Sequence, residues 1–94
     1  MESEACRADV WLWRARLFKT RGLAAGAVEA GRIRVNRGDV QTRPTKPSRV
    51  VRTGDLVVFA AAGKLFAVRI EGIGARRGPP AEARSLYTVE EEPR

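Results

Sequence analysis

The chain has 94 residues and is 44% hydrophobic, which suits one small folded domain and argues against wholesale disorder. Eighteen Lys and Arg against 11 Asp and Glu give a net charge of +7, which favours a polyanionic partner. There is no His and only one Cys (Cys6), and no apolar run approaches the roughly 20 residues of a membrane span. These features weigh against a disulfide framework, a metal site and a membrane protein.

The positive charge is concentrated in the first half of the chain. Residues 7–52 hold 12 Lys or Arg and three acids, a net charge of +9. Residues 53–94 are neutral overall, and Met1–Cys6 carries −2. Fifteen of the 18 cations are Arg, which forms two-pronged bonds to phosphate and stacks on bases. We therefore expect a polyanion-binding half followed by a neutral half.

The first predicted element is a helix over residues 9–18, with Asp9 as its N-cap. A helical spacing of about 100° per residue gives it two apolar stripes. The core-facing stripe comprises Ala8, Trp11, Leu12, Ala15 and Phe18. The second stripe, Val10–Trp13–Leu17, faces the other side, where Trp13 either packs under a later segment with Leu86 and Tyr87 or stacks on a base. Packing is the favoured interpretation for Trp13.

A second helix is predicted from a cap at Thr20 to about Ala30, with Gly31 at the left-handed position after its end. Its predicted buried face comprises Leu23, Ala24, Ala27 and Val28. Only Lys19–Thr20 separate the two predicted helices, so the sequence predicts a tight helix hairpin.

After Gly31 the apolar period changes to two, which indicates a strand with Ile33 and Val35 toward the core. Strands are also predicted from Val40, at 50–51, at 56–59 and at 64–70, and the loop 43–48 is kept extended by two prolines. Residues 81–87 are expected to form a short helix, and Glu90–Arg94 to fray. Helices followed by strands predict an α+β fold, with the helix hairpin packed on one side of a small, mostly antiparallel sheet.

Four segments occur in the order and spacing of an S4 RNA-binding domain, which the chain resembles over residues 7–59. They are Arg7-Ala-Asp9, Lys19-Thr-Arg21, Gly31-Arg-Ile-Arg-Val-Asn36 and Gly54-Asp55. Ala8 departs from the pattern, since the family usually has Leu there. The resemblance implies an S4-like α-L motif, with residues 60–94 forming a strand and short-helix extension on the same core.

Three further segments resemble, more narrowly, the ribosome-associated heat-shock protein 15 family. They are Trp11-Leu-Trp13, Phe18-Lys-Thr-Arg21 and the distal Arg77-Gly-Pro-Pro-Ala-Glu-Ala83 with Leu86-Tyr87. This resemblance implies binding to large ribosomal subunits that carry a stranded peptidyl-tRNA, with rRNA and tRNA as partners, to help recycle them. We also expect a cytoplasmic monomer without membrane contact.

The candidate RNA-binding residues are the cations of the hairpin, of the first strand and of the proline-containing loop, together with the helix cap. They are Arg7, Arg14, Arg16, Lys19, Thr20, Arg21, Arg32, Arg34, Arg43, Lys46 and Arg49. Phosphate contacts supply most of the affinity for RNA, and folded RNA is read by its shape and backbone. Arg21, beside the hairpin turn, is the strongest candidate, and Asp9 is expected to cap the helix or to orient Arg21.

No catalytic residue, cofactor or metal ligand is predicted. Cys6 lies in an acidic terminus that we expect to be mobile, and no glycine-rich loop has a strand–loop–helix context. Three alternatives stay open. The chain could serve another structured RNA, such as tRNA or a ribosome-assembly intermediate, its basic face could be merely solvated, or the Val10–Trp13–Leu17 stripe could bind a protein.

Overall fold

The computed structural model describes residues 4–90, which form three helices and seven strands. In chain order these are β1 (Ala5–Arg7), α1 (Ala8–Arg14), α2 (Arg21–Glu29), β2 (Ile33–Arg37), β3 (Val40–Thr42), β4 (Val50–Arg52), β5 (Leu56–Ala61), β6 (Lys64–Ile70), α3 (Pro80–Arg84) and β7 (Tyr87–Glu90).

Five of the strands form an antiparallel sheet in the order β3-β2-β5-β6-β7. Strands β1 and β4 form a separate antiparallel pair, with Cys6 opposite Val51. The predicted α+β fold, a helix hairpin on a small antiparallel sheet, is confirmed. Strands β6 and β7 extend the sheet that β2 and β5 begin, so the segment after residue 59 shares its core.

The core lies between the helix pair and the inner face of this sheet. Its helical side is built on Trp11, Leu12 and Val28, each at most 1% exposed. Its sheet side is built on Ile33, Val35, Val57, Val68 and Ile70. The Trp11 Nε1–H donates to the carbonyl oxygen of Gly72 at 2.9 Å, so the indole is buried without losing its hydrogen bond.

Helix α1 ends at Arg14, four residues before the predicted end at Phe18. Its C-terminus has the hydrogen bonds of a Schellman motif, with Arg16 N–H donating to Trp13 O and Leu17 N–H to Leu12 O. Arg16 takes the left-handed position of this motif, with φ at 58°, where glycine is usual. The longer helix was wrong because an arginine at this position gives no stop signal in the sequence.

Helix α2 has the predicted bounds and caps. Thr20 Oγ1 accepts a hydrogen bond from Leu23 N–H at 3.0 Å, and Gly31 has φ at 70°. The predicted buried face was too wide, because the fully buried line is Ala24 and Val28 alone. Leu23 lies about 100° around the helix from Ala24, in the first turn, and is 57% exposed.

Near both ends of the described range, 4–90, the structure differs from what the sequence indicated. Cys6 lies in β1 and is half-buried, and this burial raises the pKa of its thiol. Asp9 lies inside the first turn of α1, while Arg7 occupies the N-cap position. The predicted helix 81–87 ends at Arg84, since Tyr87 already pairs with Ile70 in the sheet.

Glu90, predicted to lie in a frayed tail, is in β7, where both of its carboxylate oxygens accept hydrogen bonds from Arg69. Met1–Ser3 and the rest of that tail, 91–94, lie outside the described residues.

Asp55 ties the start of β5 to two neighbouring strands. Its buried carboxylate accepts two hydrogen bonds from Arg37, at 2.9 and 2.8 Å, and one from Arg52 N–H at 2.9 Å. Burial alone would raise the pKa of Asp55, but these bonds and the charges of Arg37 and Arg49 hold that pKa below its usual range. The carboxylate is therefore stabilised in its charged form by the fold.

We predict that Asp55→Asn lowers the free energy of unfolding by about 2 kcal/mol at pH 7, because it removes a charged acceptor of three hydrogen bonds. A depressed pKa in the fold adds stability above the unfolded-state value of roughly 3.9, and this stability is lost as pH falls through the folded-state pKa. The gap between wild type and variant in urea unfolding should therefore shrink below about pH 4. Asp39→Asn, in an exposed turn, is the control, and a gap independent of pH would contradict the assignment.

Candidate nucleic-acid interface

The candidate residues predicted from the sequence lie in three places rather than on one surface. The first is the junction where α1 and α2 begin, the second is the C-terminal end of α1, and the third is the sheet face opposite the helices.

The first place, which we call the helix-junction site, lies on three segments that meet at Asp9. Its residues are Arg7, Lys19, Thr20, Arg21, Lys46 and Arg49. The side chain of Asp9 is only 5% exposed. Arg7 Nε and Nη2 each donate to it at 3.1 Å, and Arg21 Nη2 lies 3.8 Å from its Oδ2. Both arginine side chains are 50% exposed, so each faces the carboxylate on one side and solvent on the other. An arginine has five N–H donors, and this pairing leaves several of them for an anion.

The loop after β3 is fixed against the same junction by backbone hydrogen bonds. Ala8 N–H donates to Arg49 O at 2.7 Å, and Asp9 N–H to Pro47 O at 3.3 Å. An open cleft of about 300 Å³ lies in this loop, with Lys46, Ser48 and Arg49 in its lining. The loop therefore adds Lys46 and Arg49 to the cations of the hairpin, whereas Arg43 lies elsewhere.

The second place contains Arg14 and Arg16, and both side chains hold the loop between β6 and α3. Arg14 Nη1 donates to Gly74 O at 2.9 Å, and Arg16 Nε donates to Gly78 O at 2.7 Å. From the other side, Arg77 Nε donates to Trp13 O at 3.1 Å, and the Arg77 guanidinium lies over the Trp13 ring, 5.8 Å from its centre. These arginines brace the fold as well as carrying charge.

Trp13 is half-buried and packs under the C-terminal segment, which was the favoured interpretation of the sequence. Its cover is Arg77, whereas Leu86 is buried in the main core. Arg77 is not among the predicted site residues, and its one signal in the sequence is its place at the head of the distal Arg77–Tyr87 segment.

The third place is a cleft on the outer face of the sheet, which we call the outer-face cleft. Arg32, Arg34 and Arg43 line it together with Val58, Ala60 and Leu65, and its volume is about 300 Å³. Ile33 and Val35 point into the core, so the alternation of β2 directs Arg34 away from the helices. The sheet therefore separates the candidate cations of the first strand from those of the hairpin.

Two further features concern other kinds of site. Within residues 4–90, no three Asp, Glu or Cys side chains lie together in a way that could hold a metal ion. None of the helices in this part of the chain is long and apolar enough to cross a membrane.

A family model and two curated relatives match this chain. The S4 domain family model matches residues 6–57. Heat shock protein 15 of Escherichia coli strain K12 is 33% identical over 81 residues, which cover 86% of this chain and 57% of that protein. A heat shock protein 15 homolog of Haemophilus influenzae is 29% identical over 87 residues, covering 93% and 63%. The chain thus spans 57–63% of the length of these curated relatives.

A solved structure agrees with the sequence relatives. The trimeric structure of heat shock protein 15 from Vibrio cholerae superposes with a TM-score of 0.82 at 36% identity. The match covers 93% of this chain and 83% of that one, so it extends beyond the residues of the family model.

We predict that Arg16→Gly is more stable than Arg16→Ala by about 1 kcal/mol in urea unfolding, because only glycine adopts the left-handed position without strain. Both variants lose the bond to Gly78, so their difference isolates the backbone effect. Gly31→Ala, at the equivalent position after α2, is the matched control and should lose a similar amount. Equal stability of the two Arg16 variants would show that the turn is not left-handed in solution.

Proposed function

The chain belongs to the S4 family of RNA-binding domains and, within it, to the heat shock protein 15 family, and on this premise we propose that it binds structured RNA of the large ribosomal subunit. In this proposal it acts on subunits that carry a stalled peptidyl-tRNA and helps to recycle them. Ribosomal RNA is its main partner, and tRNA is a second one.

The observation that carries the proposal is the pair of half-exposed arginines held on buried Asp9. Because Arg7 is hydrogen-bonded to the carboxylate and Arg21 lies within ion-pair distance of it, binding a phosphate costs less side-chain entropy than it would with free arginines. Two ordered guanidinium groups beside a fixed basic loop suit the backbone of folded RNA, which is read by shape. The net charge of +9 in residues 7–52 adds long-range attraction for RNA.

We assign the phosphate contacts mainly to the helix-junction site. Arg7, Lys19, Arg21, Lys46 and Arg49 are its cations, and Thr20 acts by capping α2. Arg14 and Arg16 are secondary in this assignment, because one N–H group of each donates to a carbonyl oxygen of the loop 72–78 and directs the side chain toward that loop.

The alternative of a protein-interaction module gains little support from the structure. It depends on the Val10–Trp13–Leu17 stripe as a binding surface. All three residues are half-buried, and Arg77 covers the ring of Trp13. The stripe packs mainly against other parts of the fold, whereas Arg7 and Arg21 of the helix-junction site are half-exposed to solvent.

We propose a cytoplasmic protein that is monomeric before it binds RNA. The Vibrio cholerae relative was solved as a trimer, so the state of this chain needs its own measurement. Light scattering at micromolar concentration should give a mass of 10.3 kDa. Three times that mass would show a trimer and contradict the proposed monomer.

We predict that Arg21→Ala/Lys46→Ala weakens binding to isolated large subunits by at least about tenfold at 0.1 M salt, because two phosphate contacts are lost. The slope of log affinity against log salt should become shallower by about two. Arg7 remains to pair with Asp9, so the variant should fold normally.

The matched control is Arg76→Ala/Arg84→Ala, which removes the same charge from the C-terminal segment and should change the affinity much less. Equal losses of affinity in the two variants would show that net charge alone accounts for the effect. Unchanged binding by Arg21→Ala/Lys46→Ala would refute the helix-junction site. Crosslinking with sequencing of the bound RNA separates rRNA from a different structured RNA such as tRNA or an assembly intermediate.

A further inference from the structure

We propose that the outer-face cleft holds one unpaired nucleotide of the bound RNA, with its base on the apolar floor and its phosphate on the arginine rim. This inference rests on the proposed RNA binding and adds a second, base-recognising contact to it. The helix-junction site would then set affinity through phosphates, and the cleft would favour RNA that displays an extruded base.

The floor of the cleft follows from the register of the sheet. Arg34 lies opposite Val58, and Ala60 lies opposite Leu65, so these side chains share the face that points away from the helices. Val58 is 4% exposed and packs with Leu56 and Ala67 in a small apolar cluster of its own. Leu65 borders this cluster and is 62% exposed. The result is an apolar surface whose lower layer, at Val58, is buried and whose upper layer, at Leu65, is exposed to solvent.

The rim of the cleft is cationic. Arg32 is exposed at its edge, and Arg43 is held there by a hydrogen bond from its Nη1 to Gly31 O at 2.8 Å. The aliphatic part of Arg43 lies beside Gly31, 3.8 Å from where a Cβ would stand, which is ordinary van der Waals distance. The lining includes three arginines and no acidic side chain. An anionic group is therefore favoured at the rim and an apolar ring on the floor.

A single nucleotide fits this combination better than a longer ligand or a paired base. The cleft volume of about 300 Å³ is at the small end of ligand sites. A base inside a duplex has both faces stacked, so only an extruded base can lie on the floor. Sequence-tolerant contacts to single-stranded RNA combine a positively charged groove with platforms for the bases, which are usually aromatic and are aliphatic on the floor of this cleft.

The test uses the full chain and three RNA hairpins that differ at one position: fully paired, with one bulged adenosine, and with an abasic site at the bulge. We expect the bulged adenosine hairpin to bind about tenfold more tightly than the paired one. The abasic hairpin should lose most of this gain, because it keeps the phosphate and the bend but lacks the base. Equal binding of the adenosine and abasic hairpins would overturn the inference.

Two serine variants make the test specific to the cleft. Leu65→Ser should abolish the preference for the bulged adenosine. Val89→Ser, at an equally exposed apolar residue of β7, should retain it. A preference that survives in Leu65→Ser would place the base elsewhere and refute the assignment. Both side chains are exposed, so neither change should unfold the protein, which urea unfolding verifies.

The two proposals fail in different ways. If the chain binds all three hairpins equally, and Arg21→Ala/Lys46→Ala abolishes that binding, the outer-face cleft is refuted and RNA binding at the helix-junction site stands. If the chain binds none of the hairpins and no large subunits at 0.1 M salt, the proposed function fails, and the inference fails with it.

Discussion

The negative charge of Asp9 has to be balanced inside the fold, because its carboxylate is almost completely removed from solvent. The balance comes from Arg7, from Arg21 and from Val10 N–H, which donates to Oδ1 at 2.8 Å. These three partners belong to β1, α2 and α1, so one carboxylate joins the first strand to both helices of the hairpin. The same requirement places two guanidinium groups side by side at the surface, and a structural need thereby creates a cationic site.

Some cations of this protein stabilise the fold by hydrogen bonds, and others remain for a polyanion. Arg14, Arg16 and Arg77 donate to main-chain carbonyl oxygens and hold the loop after β6 on helix α1. Arg37 and Arg69 form paired hydrogen bonds with Asp55 and Glu90 inside the sheet. Net charge alone therefore overstates the surface offered to a polyanion. Variants that remove charge must be judged by which carbonyl or carboxylate loses its partner.

Local pattern was enough for much of the fold, as the cap at Thr20, the end of α2 at Gly31 and the strand alternation show. Local pattern failed where an element depends on distant residues, or where a helix ends without the residue type that usually marks its end. Arg16 ends α1 in a conformation that usually requires glycine, and β1 pairs with β4 from more than 40 residues away. The division of the candidate site was implicit in the sequence, since a strand that turns Ile33 and Val35 toward the helices must turn Arg34 away from them. The cleft around Arg43 and Leu65 needed the register, which sequence alone does not provide.

The hydrogen bond from Trp11 to Gly72 joins positions 61 residues apart, and it has a consequence for synthesis. The helix hairpin is translated early, but its central indole gains its acceptor only after the loop beyond β6 has emerged. Contacts of such long range form late and slow folding. The nascent chain consequently exposes a basic, incompletely packed hairpin until the loop beyond β6 has left the ribosome, and its core closes only after that point.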